Sequence, residues 1–293
     1  MKDKIKIAVV NFHAKWGDKS NNLSAIEEYC NIAGKNKVNL ILFPETCLNG
    51  YDNDKNKPFE EKMHIKTAET IPGESSLRLS NIAKKYNMYI VYGMAEKAFN
   101  QNSNEAKIYN SAAIIYPDGK IESYRKIHLP FDEKEWACPA DKPKMIKSPW
   151  GNIGVSICYD TYCFPELIRF YRSKKARLIL NVTACPDINC TMAAATLSLP
   201  AYAYINYVFI ASSNLCGQDK FNYFPGGSNI IGPDNTKKGV KVYTGIFFGE
   251  KNSNKEGIFI GEIDLALADK YNDIPIFSGD WQPLLYQKWL DKE

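Results

Sequence analysis

Histidine is scarce in this chain: three residues, His13, His64 and His128, among 293. So few imidazoles argue against a histidine-built metal centre and leave little choice of partner for a cysteine–histidine dyad. None of the three stands in a supporting pattern. No Cys-x-x-Cys occurs, and no His/Cys pairing has zinc spacing, so no metal is expected. Neither Gly-x-Gly-x-x-Gly nor a P-loop occurs, so nothing marks a nucleotide cofactor. No apolar run approaches the ~20 residues of a membrane helix. The opening MKDKIKIAVVNF lacks the apolar core and cleavage site of a signal peptide and reads as a first strand. Charge of one sign is also missing: 37 basic against 33 acidic residues leave +4, in pairs such as Lys84–Lys85 and Lys174–Lys175. That balance argues against nucleic acid or a membrane surface as partner.

What is present is an ordinary globular composition, 45% apolar and 24% charged, enough for a sizeable core. Eight cysteines without a secretory signal fit free thiols in a reducing cytoplasm. Strand-like and helix-like runs alternate. Strands are expected at 5–12, 38–43, 89–96, 109–116 and 120–126, the last two joined by the Pro117-Asp118-Gly119 turn. Helices are expected at 22–35 and 75–86. The second half repeats this order, with strands at 153–157, 178–182, 207–213, 227–231, 240–245 and 257–263 and helices at 166–173 and 192–205. No Pro/Ser-rich linker divides the chain, so one α/β domain over 1–279 is the simplest reading, with 280–293 as an aromatic tail packed on a neighbour.

GVSICYDTYCFPEL, residues 154–167, places Cys158 and Cys163 after an apolar strand. Cys158 closes that strand just before a helix, where α/β folds put active sites. Asp160 and Thr161 offer capping side chains, and Pro165 suits a first helical position. Taken alone, this stretch reads first as carrying buried cysteines that behave as small hydrophobes. Two charged residues stand out by position. Glu45 follows the buried strand ILFP, where a desolvated carboxylate suits general-base work. Lys126 ends a hairpin strand and offers a fixed cation to an oxyanion.

LILFPET, YRKIHLP and GVSICYD, in that order, closely resemble the three signature segments of the carbon–nitrogen hydrolase (nitrilase) superfamily. Supporting segments match too: Phe164-Pro165-Glu166-Leu167, Ser213-Asn214, and Gly226-Gly227-Ser228 before Pro233-Asp234. The resemblance implies an α/β fold, a four-layer α-β-β-α sandwich of two stacked mixed sheets. It implies Cys158 as nucleophile, Glu45 as general base, Lys126 as electrostatic stabiliser and a second glutamate, Glu133, with Glu135 as its competitor. It implies a small-molecule amide or N-carbamoyl substrate, no cofactor, and a homodimer or higher homo-oligomer paired through the helix after the cysteine and the tail. A nitrile hydrolase and a catalytically silent binding protein are the alternatives; Cys158-Tyr159-Asp160 in place of Cys-Trp-Glu favours amides. Tyr51, Trp136, Tyr159, Asn181, Cys185 and Phe224 fall in loops that resemble pocket-forming ones. There are departures. CYDTYCFPE is one residue longer than the common form, and Tyr202 and Ile205 replace an arginine and a glutamate.

Overall fold

Strands buried on both faces organise the chain. The computed structural model describes residues 1–52, 54–99, 105–187, 191–235, 239–270 and 280–291, with side chains from 194 onward in the fourth of these. One sheet holds β1 (Lys4–Asn11), β2 (Leu40–Leu42), β3 (Tyr89–Phe99), β4 (Ala106–Ile115), β5 (Ile121–Arg125) and β14 (Gly257–Asp264), in the order β14-β1-β2-β3-β4-β5. The other holds β6 (Lys144–Ser148), β7 (Gly151–Ile157), β8 (Ala176–Thr183), β9 (Phe209–Asn214), β12 (Asn229–Pro233) and β13 (Val240–Gly245), in the order β13-β12-β9-β8-β7-β6. A two-stranded ribbon, β10 (Cys216–Gln218) and β11 (Tyr223–Pro225), stands apart. Both sheets are mixed. Each has a parallel centre, β1-β2-β3 and β7-β8-β9, with antiparallel flanks.

The two-residue period of a strand explains the layering. Ile7 and Val9 on β1, Leu40 and Leu42 on β2, and Leu178 and Leu180 on β8 point into a core between the sheets. The alternate residues Ala8, Val10 and Ile41 face outward, against Leu23, Ile26 and Cys30 of α1 (Lys19–Lys35) and Leu79 and Ala83 of α3 (Glu74–Tyr86). On the far side Ile179 and Ile210 meet Ile168 and Tyr171 of α5 (Pro165–Ser173) and Leu199 and Ala203 of α6 (Thr191–Asn206). The result is the expected helix–sheet–sheet–helix sandwich. Polar clasps join the sheets: the Ser213 hydroxyl donates to the Leu42 carbonyl at 2.8 Å and accepts from the Val10 N–H at 3.1 Å.

The Pro117-Asp118-Gly119 turn forms as expected, with Gly119 at φ +89° and its N–H bonded to the Tyr116 carbonyl. Helix α5 departs from its expected use. Leu167, Ile168 and Tyr171 pack into this chain's own core, so their apolarity by itself calls for no partner. The remaining helices are α2 (Met63–Thr67), α4 (Tyr159–Cys163), α7 (Ala266–Asp269) and α8 (Pro283–Leu290). Leu284, Trp289 and Leu290 of α8 are exposed. The domain boundary expected at 279 lies outside the described residues. Among the described residues no helix is long and apolar enough to cross a membrane.

Candidate active site

Strand β7 passes into α4 with no loop between, so Cys158 must turn the chain alone. It does so at φ +46° and ψ −98°, a left-handed conformation that a residue with a Cβ adopts only under constraint. Its N–H donates to the Val182 carbonyl at 2.9 Å, and its carbonyl accepts from Thr161 and Tyr162, which fixes the elbow. The expected capping by Asp160 and Thr161 does not occur. Cys158 itself is the N-cap residue, and both side chains are buried within α4. Asp160 instead accepts from the Tyr124 hydroxyl at 2.6 Å and the His128 N–H at 2.8 Å, with the His128 ring Nδ1 also at 2.8 Å. It thereby ties the segment after Lys126 to the cysteine elbow.

Glu45 arrives from the other sheet. The chain leaves β2, and Gly93 on β3 lets it cross closely: a Cβ there would lie 2.5 Å from the Glu45 Cα and the Pro44 carbonyl. Lys126 follows β5, its N–H bonded to the Asn110 carbonyl. Glu133 sits in a 3-10 turn, Phe131–Glu135. The three side chains meet in the interior. The Lys126 ammonium donates to Glu45 Oε1 and to Glu133 Oε2, each at 2.7 Å, and all three side chains are 1% exposed. Asn110 on β4 bridges the same pair, its amide donating to Glu45 Oε1 and Glu133 Oε1 at 2.7 Å. The second Glu45 oxygen accepts from the Ala184 N–H at 2.8 Å. Asn214 steadies that loop by accepting from the Cys185 N–H and donating to the Cys185 carbonyl. Glu135 is elsewhere: it pairs with Lys62 at 2.8 Å and is 42% exposed.

Two carboxylates share one ammonium, and the electrostatics follow from that. Burial works against the Lys126 charge, but Glu133 and Glu45 outweigh it and hold its pKa well above the ordinary lysine value. Burial pushes Glu133 up to about 7; Lys126 draws it down and Glu45 adds to the rise. Burial, and then the Glu45 charge, keep the Cys158 thiol well above its usual range, with Lys126 pulling the other way. The thiol therefore rests protonated. Cys163 differs: it is raised by burial alone, with neither the glutamate nor the lysine acting on it.

Lys126, Glu133 and Cys158 line one cavity of about 480 Å³. Tyr51, Trp136, Tyr159 and Cys185 stand on its wall. Asn181 does not. It lies inside β8, where it accepts from Thr161 and donates to the Tyr162 and Ser212 hydroxyls, so it braces α4 from behind. Phe224 is also behind the wall, edge-on to Tyr51 with ring centres 5.9 Å apart. Sequence reasoning missed Asn110, Asp52 and Tyr162. The signal for Asn110 was a polar residue in an otherwise apolar strand face; for Asp52 there was none beyond its place beside Tyr51. Among the described residues no three His, Cys, Asp or Glu side chains gather as a metal ion needs.

A strained cysteine elbow facing a buried Glu-Lys-Glu cluster, between two stacked α/β layers, defines a class of thiol-dependent hydrolase folds. A model described as carbon–nitrogen hydrolase matches residues 6–273, and the chain belongs to that family. It is 32% identical over 293 residues to "Probable nitrilase C965.09" of Schizosaccharomyces pombe, covering 98% of this chain and 99% of that one. It is 30% identical to "Omega-amidase NIT2" of Xenopus tropicalis, covering 88% of each. Among solved structures, a mutant amidase from Nesterenkonia sp. AN1, with the acetamide moiety of fluoroacetamide added covalently at its active-site cysteine, shares the fold at a TM-score of 0.75. The identity is 21%, and the match covers 98% of this chain and 97% of that one.

Proposed function

We propose that this chain is an amidase, hydrolysing the C–N bond of a small carboxamide or N-carbamoyl compound through a thioester on Cys158 and releasing ammonia. One observation carries the proposal: the Cys158 thiol shares a cavity with the Lys126 ammonium and Glu133, and Glu45 holds the same ammonium from behind. In the proposed sequence Glu45 takes the thiol proton as sulfur attacks the carboxamide carbon. The Lys126 ammonium and the Tyr159 N–H stabilise the oxyanion; an N–H in the first turn of a helix has no intrahelical acceptor. The intermediate collapses, the C–N bond breaks, and Glu45 returns its proton to the departing nitrogen. Glu45, again a carboxylate, then draws a proton from water. Water adds to the thioester, the C–S bond breaks, and the proton passes back to sulfur with release of the acid. Glu133 orients Lys126 and the substrate nitrogen. Tyr51, Trp136, Tyr159 and Cys185 shape the pocket. No step calls for a metal or cofactor.

The deciding experiment is an ammonia-release screen over carboxamides, N-carbamoyl amines and nitriles, with wild type and Cys158→Ala side by side. Turnover of amides by wild type alone is expected. Equal turnover by the Ala variant removes the scheme; turnover of nitriles in preference moves the chain to the nitrilase side, where two of its relatives carry that name.

The same reading includes residues 1–279 as one catalytic domain, a homodimer or higher homo-oligomer, and a cytoplasmic setting. The apolar residues exposed on α8 support pairing through the tail, and the described cysteines, none of them in a disulfide, fit a reducing compartment. Light scattering that finds only monomer would refute the pairing.

A further inference from the structure

The cavity wall carries a surplus of negative charge. Among the described residues Lys126 is its single lining cation, and Glu45 and Glu133 already hold it. Two more carboxylates, Asp52 and Asp132, also line the wall, and they differ. Asp132 is 29% exposed and pairs with Lys55 at 3.0 Å. Asp52 is 5% exposed. Its Oδ1 accepts from the Asp54 N–H at 3.1 Å, and its Oδ2 from the Met63 N–H at 2.9 Å. These neutral donors orient the carboxylate without cancelling its charge. Among the described residues no cationic side chain forms an ion pair with it. Lys62 is engaged with Glu135 and the Asp54 carbonyl. His64 accepts the Asp52 N–H through Nε2, and burial pushes its pKa down to about 3, so it stays neutral.

A buried carboxylate without a counter-ion is costly unless one arrives. At the wall of a substrate cavity, the substrate can bring it. The surrounding surfaces suit that arrival: the aromatic side chains of Tyr51, Trp136 and Tyr159 line the same space, and aromatic faces attract alkylammonium groups. A carboxylate on the substrate would meet Asp52 and Asp132 and, among the described lining residues, no cation but the already paired Lys126.

We propose that the acyl tail of the amide carries a positive charge, read by Asp52 against the aromatic wall of Tyr51 and Trp136, and that carboxylate-tailed amides are rejected. The identity of the tail rests on the amidase reading given above. The relevant chemistry is a short ω-amino amide or an N-carbamoyl diamine.

The test uses three amides of matched length: 6-aminohexanamide, heptanamide and the monoamide of adipic acid. Wild type should turn over the ammonium-tailed amide about tenfold better in kcat/KM than the methyl-tailed one, as a charge-assisted contact predicts, with the carboxylate tail poorest. Asp52→Asn should reduce the ammonium-to-methyl ratio by about tenfold. Asp132→Asn should reduce it less, because Lys55 already offsets that charge. A wild type that prefers the carboxylate tail, or an Asp52→Asn variant that weakens all three amides alike, overturns the proposal; the second result would assign Asp52 to holding α2 alone. Calorimetric binding of the same amides to Cys158→Ala separates this proposal from the amidase reading. Preferential binding of the ammonium tail without turnover by wild type would keep the Asp52 site and sink the amidase. Turnover and binding indifferent to the tail would do the reverse.

Discussion

Two places in this molecule hold one buried cation between two carboxylates. Arg177 on β8 is 1% exposed and pairs with Asp3 at 2.6 Å and Asp269 at 2.7 Å, while also donating to the carbonyls of Lys2, Trp150 and Leu265. Its carboxylates are 53% and 30% exposed, so water carries their surplus charge. Lys126 makes the same count of pairs, but Glu45 and Glu133 are each 1% exposed. There the surplus has no solvent to face. It is held instead on a second carboxylate whose proton is kept to about pH 7 and on a thiol kept protonated. The first cluster fastens the N-terminus and α7 to the second sheet. The second has the same count of charges and stores a proton-transfer system. Burial of the anions, not the ion count, makes the difference.

Removing the cations should separate the two clusters most widely. Lys126→Met is expected to abolish turnover, a loss of about a thousandfold or more, and to cost about 3–5 kcal/mol because two carboxylates are left buried and unpaired. Arg177→Met should destabilise as well, yet leave kcat per folded molecule intact. Denaturant melts with turnover corrected for folded fraction would read both, and equal loss of kcat would erase the distinction. Next come the carboxylates. Glu133→Gln should lower kcat about a hundredfold with the fold retained. Asp269→Asn should shift stability by less than about 1 kcal/mol, since water already screens it. A fully active Glu133→Gln would detach Glu133 from the reaction.

Proton affinity sharpens the contrast further. Glu133 accepts from both Lys126 and Asn110, so its ionised form fits the site. Its folded pKa lies near 7, above the ordinary 4.5, so kcat/KM should rise with pH through about 7 and the inflection should vanish in Glu133→Gln. The sign for stability is opposite: folding takes up a proton between 4.5 and about 7, so this group's contribution falls as pH rises through that window. Asn110→Leu takes one donor from each carboxylate and should cost about 1–3 kcal/mol, with a partial loss of turnover.

The layers were legible because strands buried on both faces read as apolar runs, and the site because Glu45 and Cys158 each follow such a strand, while Lys126 follows the hairpin strand β5 at the sheet edge. Ends were less so. Strand β3 runs on to Phe99 because Lys97 and Phe99 pair with Lys107-side residues of β4, and a lysine inside a strand hides that continuation. Tyr207 was expected to open a strand but turns at φ +48° after α6, and Phe209 begins β9 instead. The sequence favours Glu133 over its competitor Glu135; both lie in one short turn, where Glu133 is buried and Glu135 pairs with Lys62. Asp160 carries a local helix-cap signal that tertiary bonds override.

The central claim is that Cys158, alone among the thiols on this cavity, takes the acyl group. Cys163 and Cys185 line the same space and serve as internal controls. Acid-quenching the enzyme during turnover of a small amide, then mapping its peptides by mass, should find the acyl group on the peptide of Cys158 and nowhere else. An acyl group on Cys163 or Cys185, or undiminished ammonia release by Cys158→Ala, would contradict the account.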